Sequence, residues 1–170
     1  MPADGKQPAG LLIEPLELDP GRDVRAVAAL LALSWKGCLD EADIDRRQAA
    51  LVAELESLDP ARRRLSVASV SGRTVGFCRV LRDADTPDHW WLAGVVTHPD
   101  HRGAGIGRAL VRESLEHARS HGATLIRSEA HIDNPASIAF HEALGFRNEG
   151  AFLAADGDGK VAFSLPLSQP

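Results

Sequence analysis

Residues 95–109, VVTHPDHRGAGIGRA, bring together residue types that suit an anion. A β-branched run, Val95, Val96 and Thr97, ends just before a proline. Arg102-Gly103 then opens a stretch in which Gly103, Gly105 and Gly107 alternate with Ala104 and Ile106. Backbone without Cβ atoms can turn its N–H groups toward an anion and let it approach closely. A helix predicted to start near Gly105 adds unpaired N–H groups and the positive end of its dipole. The stretch therefore reads as a strand–loop–helix seat for a pyrophosphate, flanked by Arg102 and Arg108. Two other pyrophosphate patterns do not fit. G-x-G-x-x-G, counted from Gly103, meets Arg108 where its last glycine belongs, and G-x-x-x-x-G-K-[ST] does not occur.

A second group of residues could move protons. Glu129 and His131 are two apart on a predicted strand, so they share a face. A carboxylate at Glu129 can accept a proton, anchor a cation, or serve as a salt-bridged rim residue beside Arg127. His141, on a predicted short helix, titrates in the range where an imidazole passes protons. Asp40, Glu41, Asp43 and Asp45 gather between the first two predicted helices, just after Trp35. They either attract a cation or solvate a loop. His117 and His121 have i,i+4 spacing but no third ligand, so they read as helix-end residues, and no metal is expected.

These residues need elements to hold them. Leu11–Leu18 reads as a first strand. Asp23 caps a helix whose stripe runs Val24, Val27, Ala28, Leu31 and Trp35. A second helix spans about Ala42–Leu58 and ends at Asp59-Pro60. Leu65–Val70 and Thr74–Leu81 form a hairpin about Ser71-Gly72-Arg73, and Asp83–Asp88 is a polar loop. Trp90–Thr97 is a central strand, Gly105–Ser120 a helix stopped by Gly122, and Thr124–Ala130 another strand. Asn134-Pro135 starts a short helix to Leu144, capped by Gly145. Phe146–Ala154 and Val161–Leu165 make a final hairpin around Asp156–Gly159. The order β-α-α-β-β-β-α-β-α-β-β indicates an α+β, or mixed α/β, protein with one central mixed sheet. Residues 1–9 read as a flexible tail and residues 10–170 as a single domain.

Two motifs carry a family resemblance. R-x-x-G-x-G, met by Arg102, Gly105 and Gly107, resembles motif A of the GNAT superfamily of N-acetyltransferases. Residues 124–146, TLIRSEAHIDNPASIAFHEALGF, resemble motif B through Asn134, the helix to Ala143, and the closing Leu144-Gly145-Phe146. The element order is also that of the GNAT fold. The resemblance implies acetyl-CoA as co-substrate and direct acetyl transfer to an amine. Its pyrophosphate would lie on the amides of Gly103, Ala104, Gly105, Ile106, Gly107 and Arg108. Its pantetheine arm would pair with the open edge of Val95, Val96 and Thr97, where that strand splays from the next, and would touch Asn134. The family's usual acid is a Tyr five residues before the Phe of L-G-F; this chain has no Tyr, and His141 stands there. Glu129 is the candidate base. The acid that family members often carry on the preceding strand is missing, since Trp91 and Ala93 occupy that stretch, with His89 the nearest substitute.

Residues 127–146 resemble most closely the bacterial aminoglycoside 6'-N-acetyltransferases. That likeness implies a polycationic small-molecule acceptor, held by Trp35, Asp40, Glu41, Asp43 and His131. Alternatives are a polyamine, an amino acid or a protein N-terminus as acceptor, or a non-catalytic acetyl-CoA sensor. The resemblance also makes a homodimer through the last hairpin an expectation.

Composition narrows the class. A length of 170 residues suits one domain, and a net charge of −5 gives no footprint for nucleic acid. Cys38 and Cys78 lie far apart without metal or redox spacing, so reduced thiols in a cytoplasmic protein are expected. Met1–Gly10 has no apolar run of the signal-peptide kind. Val24–Trp35 is too short to span a bilayer, so no membrane partner is expected. The Ala, Arg, Gly and Asp bias suggests a bacterial source.

Overall fold

The computed structural model describes residues 7–16, 23–34, 40–57 and 59–167. The elements are β1 (Leu11–Pro15), α1 (Asp23–Ala32), α2 (Glu41–Ser57), β2 (Arg63–Val70), β3 (Arg73–Arg82), β4 (His89–Thr97), α3 (Ile106–Ser120), β5 (Leu125–His131), α4 (Pro135–Ala143), β6 (Arg147–Leu153) and β7 (Gly159–Pro166). Type and order match the expectation from hydrophobic period and turn residues. The predicted end of the first strand, Glu17 and Leu18, lies outside the described residues, as does most of the predicted tail.

Local chemistry explains the turns. Val70 pairs with Arg73, so Ser71 and Gly72 are the two central residues of the β2–β3 turn. Both have positive φ, 51° and 74°. A two-residue turn of that hand matches the twist of its strands. Gly145 follows α4 at φ 89°, and its N–H bonds back to Glu142 O at 3.0 Å, a glycine stop.

The strands form one seven-stranded sheet in the order β1-β2-β3-β4-β5-β7-β6. Every neighbouring pair is antiparallel except β4 and β5. Each face carries its own core, and the strands alternate between them. Leu65, Val67 and Phe77 pack with Val27, Ala28 and Leu51 of α1 and α2. Ala68, Cys78, Val80 and Trp90 pack with Ile106, Leu110 and Val111 of α3. Burial of Cys78 pushes its thiol up to about 12, so it is a core thiol with no nucleophilic character. Cys38 lies outside the described residues. Among the described residues, no helix is long and apolar enough to cross a membrane.

Two features of β4 open the sheet. Arg79 pairs with Gly94 and Val80 with Leu92, so Ala93 is an extra, bulged residue. The guanidinium of Arg79 reaches the Ala93 carbonyl at 3.5 Å and is held from behind by Glu54 at 2.8 Å. The parallel pairing of β4 with β5 stops at the same place: it runs from His89↔Leu125 to Leu92↔Ser128 and goes no further. Beyond the bulge β4 pairs with β3 alone, while β5 continues against β7. The strands thus part into a wedge.

The seating of α3 on the sheet depends on Gly76. A Cβ there would stand 2.8 Å from Leu110 Cδ1 and 3.1 Å from Ile106 Cγ2, both buried. At Gly94 it would meet nothing within 4 Å. Gly76→Val is expected to destabilise the fold by about 1–3 kcal/mol through overpacking. Gly94→Ala should stay within about 0.5 kcal/mol. Denaturant unfolding of the two variants beside the parent measures the contrast.

Candidate functional site

The glycine-rich stretch folds into a loop between β4 and α3. His98 opens a short turn by accepting the Asp100 N–H on Nδ1 at 3.3 Å, and Arg102 N bonds Pro99 O at 3.2 Å. Gly103 and Gly105 then adopt positive φ, 78° and 76°. Gly105 caps α3 without a side chain, and the first helical bond there runs from Ala109 N to Gly105 O at 3.0 Å. The N–H groups of Ile106, Gly107 and Arg108 therefore precede the helix's own bonding and face outward as a set. At Gly107 three elements converge: a Cβ would lie 3.3 Å from Phe140 of α4 and 3.4 Å from Thr97 Oγ1 of β4.

These residues line an open cleft of about 580 Å³. It is bounded by Val95, Val96 and Thr97 on β4, by Arg102, Gly103, Gly105, Ile106, Gly107 and Arg108 on the loop and helix, and by Asn134 and Phe140. Of the predicted cofactor contacts, Ala104 alone is absent from its walls; it packs toward the α3 core. Arg102 folds back so that Nε reaches Thr97 O at 3.4 Å. Asn134 caps α4, accepting the Ser137 N–H on Oδ1 at 3.2 Å, and sits at the cleft's inner end.

A second cleft, about 740 Å³, opens on the other side of the wedge. Glu129, His131, His141, Ser128, Lys160, Arg82, Asp83 and Trp91 line it, and Ser34, Val95, Asn134 and Ser137 line both clefts. Glu129 Oε2 accepts from Lys160 Nζ at 3.3 Å, so the partner foreseen in Arg127 is replaced by a lysine from β7. His131 Nδ1 lies 3.7 Å from Asp158 at the rim.

His141 is 3% exposed and stacked on Phe163, with ring centroids 4.6 Å apart. Its Nδ1 faces the Ser137 carbonyl at 2.7 Å; a carbonyl only accepts, so Nδ1 carries the proton. Its Nε2 meets Ser128 Oγ at 2.8 Å. Burial pushes the ring's pKa below the ordinary histidine value, and Nε2 lies against Ser128 Oγ, whose single proton is within reach of both that nitrogen and the Leu92 carbonyl, 3.0 Å from Oγ. The ring foreseen as a direct acid is thus buried, with a partner at each nitrogen. A neutral ring with both nitrogens engaged has no proton aimed at a leaving group.

The other sequence-derived candidates fall elsewhere. Glu41 pairs with Arg25 at 2.6 Å, and Asp43 with Arg47 at 2.6 Å and Arg46 at 3.1 Å. Asp40 Oδ1 takes the Ala42 N–H at 3.4 Å, at the start of α2. None of these three lines either cleft, because the helices turn the acids toward their own arginines. Trp35 lies outside the described residues. His89 begins β4, at the end away from the bulge, and lines neither cleft. His117 and His121 stack on each other at 4.2 Å and on Trp90, and the described residues hold no group of three metal ligands.

Sequence reasoning missed Ser128, Lys160, Arg82 and Asp83. Asp83 is a built feature: Oδ2 accepts Trp91 Nε1 at 2.7 Å, and Oδ1 accepts the N–H groups of Asp85 and Thr86, each at 2.9 Å. Those bonds, the indole first, hold its pKa below the usual carboxylate range. The Asp–x–Asp–Thr turn pattern was the one signal for it; Ser128 and Lys160 gave none.

Residues 25–146 match the acetyltransferase (GNAT) family. An L-2,4-diaminobutyric acid acetyltransferase of Nocardia farcinica is 39% identical over 87 residues, 51% of this chain and 45% of that protein. A mycothiol acetyltransferase of Thermobispora bispora is 32% identical over 150 residues, 82% of this chain and 47% of that one. The chain thus spans about half the length of these curated relatives. Among solved structures, the yncA protein of Salmonella typhimurium, with its cofactor acetyl-CoA, superposes with a TM-score of 0.66 at 19% identity, covering 95% of this chain and 96% of that one. These matches show the family and the fold. The narrower likeness to aminoglycoside 6'-N-acetyltransferases is not shown by them.

The burial of His141 links site and stability. Its folded pKa is lowered, so the unfolded chain binds the proton more readily. The contribution is therefore complete above the unfolded value, about 6.5, and is lost as pH falls toward the folded one. His141→Gln should flatten the loss of stability between pH 7.5 and 5.5, by at most about 1.4 kcal/mol per pH unit. His117, also lowered by burial, remains in both proteins. The difference between parent and variant unfolding midpoints is therefore the readout.

Proposed function

The chain belongs to the acetyltransferase (GNAT) family, and we propose that it moves an acetyl group from acetyl-CoA to a primary amine of a small molecule. The observation that carries this is the meeting of the two clefts at the β4–β5 wedge, with Val95, Asn134 and Ser137 common to both. One cleft offers a pyrophosphate the outward N–H groups at the start of α3. The strand edge beyond Ala93 offers an amide-bearing arm main-chain partners that β5 has given up, as a peptide adds to a sheet. The other cleft brings an amine to the same point from the opposite side.

Geometry of that kind supports direct transfer, with positioning as a main contribution. The amine lone pair attacks the thioester carbonyl, a C–N bond forms, the C–S bond breaks, and CoA leaves as the thiolate. The proton released by the amine passes to Glu129, the carboxylate on the acceptor side, and the thiolate takes its own from water in the open cleft. A thiolate leaves without help more readily than an alkoxide, which fits a chain lacking tyrosine. His141 and Ser128 shape the floor where the strands part.

The aminoglycoside reading, drawn from the likeness of residues 127–146, also called on Asp40, Glu41, Asp43 and Asp45, which lie away from the cleft, the last three paired with arginines. A polycation would also meet Lys160 and Arg82 on the cleft walls.

Thiol release from acetyl-CoA, followed with a panel of amines, tests the proposal. The parent should release CoA steadily with at least one amine. Glu129→Gln should lower kcat/KM by about 10²–10⁴ at neutral pH, the usual contribution of a positioned base. Gly107→Val, which crowds Phe140 and Thr97, should raise the acetyl-CoA KM by about tenfold or more, since about 1.4 kcal/mol of lost contact suffices. No release with any amine, despite acetyl-CoA binding, would overturn the transferase reading.

A further inference from the structure

The second cleft carries cations as well as carboxylates, and they are not equally satisfied. Lys160 on β7 stands opposite His131 of β5, and its ammonium gives Glu129 one bond of 3.3 Å. An ammonium has three donors, so two remain. The pair is half-open to water, with side chains 22% and 35% exposed. On the other wall, Arg82 at the end of β3 donates from Nε to Pro87 O at 2.5 Å; among the described residues its terminal nitrogens make no hydrogen bond. Asp83, beside it, is held in place by Trp91 and two backbone N–H groups. His131 is occupied at the rim near Asp158. The cleft thus sets the Glu129 carboxylate, shared with a lysine, beside cationic donors left over on Lys160 and Arg82.

We propose that the acceptor is a zwitterion, an amine with a carboxylate a few bonds away as in an α-amino acid, whose ammonium is taken by Glu129 and whose carboxylate is taken by Lys160. This rests on the N-acetyltransferase reading of the same cleft. A zwitterion lies head-to-tail against an existing ion pair, so each charge it removes from water meets its opposite. Arg82 adds a second cation on the facing wall. A polycation without a carboxylate gains Glu129 but leaves the spare donors of Lys160 and Arg82 without an acceptor. A carboxamide analogue leaves the lysine facing a neutral group, at the cost of a charge-assisted bond. Trp91 and Val95 leave apolar wall for an uncharged side chain.

The test is a set of initial rates with acetyl-CoA and matched acceptors. L-Leucine, L-methionine, L-glutamate and L-2,4-diaminobutyrate are each compared with their carboxamide and their decarboxylated amine. The acid should exceed its amide in kcat/KM by about tenfold or more for the side chain the cleft accepts. Lys160→Met should bring that ratio toward one, Lys160→Arg should keep it, and the acetyl-CoA KM should not move in either. Amides or diamines turned over as well as acids would overturn the zwitterion and leave the N-acetyltransferase standing. An equal loss on acids and amides in Lys160→Met, with the ratio unchanged, would reduce Lys160 to a partner of Glu129 and overturn its role in recognition. No CoA release with any acceptor would overturn both readings.

Discussion

Backbone N–H and C=O groups taken out of water must be paired, and β4 meets that rule through β5 over only part of its length. From His89 to Leu92 it is a central strand. At Ala93 one extra residue changes its course, and from there to Thr97 the edge that faced β5 is open. The glycine loop and the start of α3 lie at the far end of this open edge, and α4 closes the other side of the opening through Asn134 and Ser137. The bulge is itself braced: Arg79 holds its carbonyl, and Glu54 of α2 holds Arg79. Helix α2 therefore acts on the site through the sheet, although its own acids never reach it.

Burial and charge divide the work inside the wedge. On the core side the polar groups are closed on themselves. Ser137, His141 and Ser128 form a chain of bonds that ends at the Leu92 carbonyl, the last paired residue of β4, which Ser128 Oγ reaches at 3.0 Å. Such a chain fixes where the strands part, and desolvation keeps its imidazole neutral. On the acceptor side the groups stay half-exposed and charged, with Glu129 and Lys160 at the front. The imidazole is thus fixed in place by its neighbours, while the Glu129 carboxylate stays where water can still reach it.

The legible part of this protein follows from short-range physics. Periods of 2 and 3.6 and the turn residues between them placed the strands and helices, because an element that buries one face leaves that imprint on the chain; β6, exposed along its whole length, was placed by the glycines and turn around it. The glycines at 103, 105 and 107 announced a special loop because positive φ and close approach admit few other residues. Asn134 was visible as a cap for the same local reason. Those two loops sit at the ends of neighbouring elements, so their joint meaning survived in the sequence as a family likeness.

Tertiary structure decided what depends on pairs far apart in the chain. The partner of Glu129 is Lys160, set by the β5–β7 register, although Arg127 was nearer in sequence. The state of His141 follows from Phe163 and Ser128, residues that say nothing about it until the sheet closes. Acids at 41 and 43 looked available as a run of charge, yet helix geometry and Arg25 brought each an arginine. Sequence alone determined the elements, the glycine loop and the family, since each is written in neighbouring residues. The charges that line the second cleft, and the partners that hold His141, were decided only when distant side chains met.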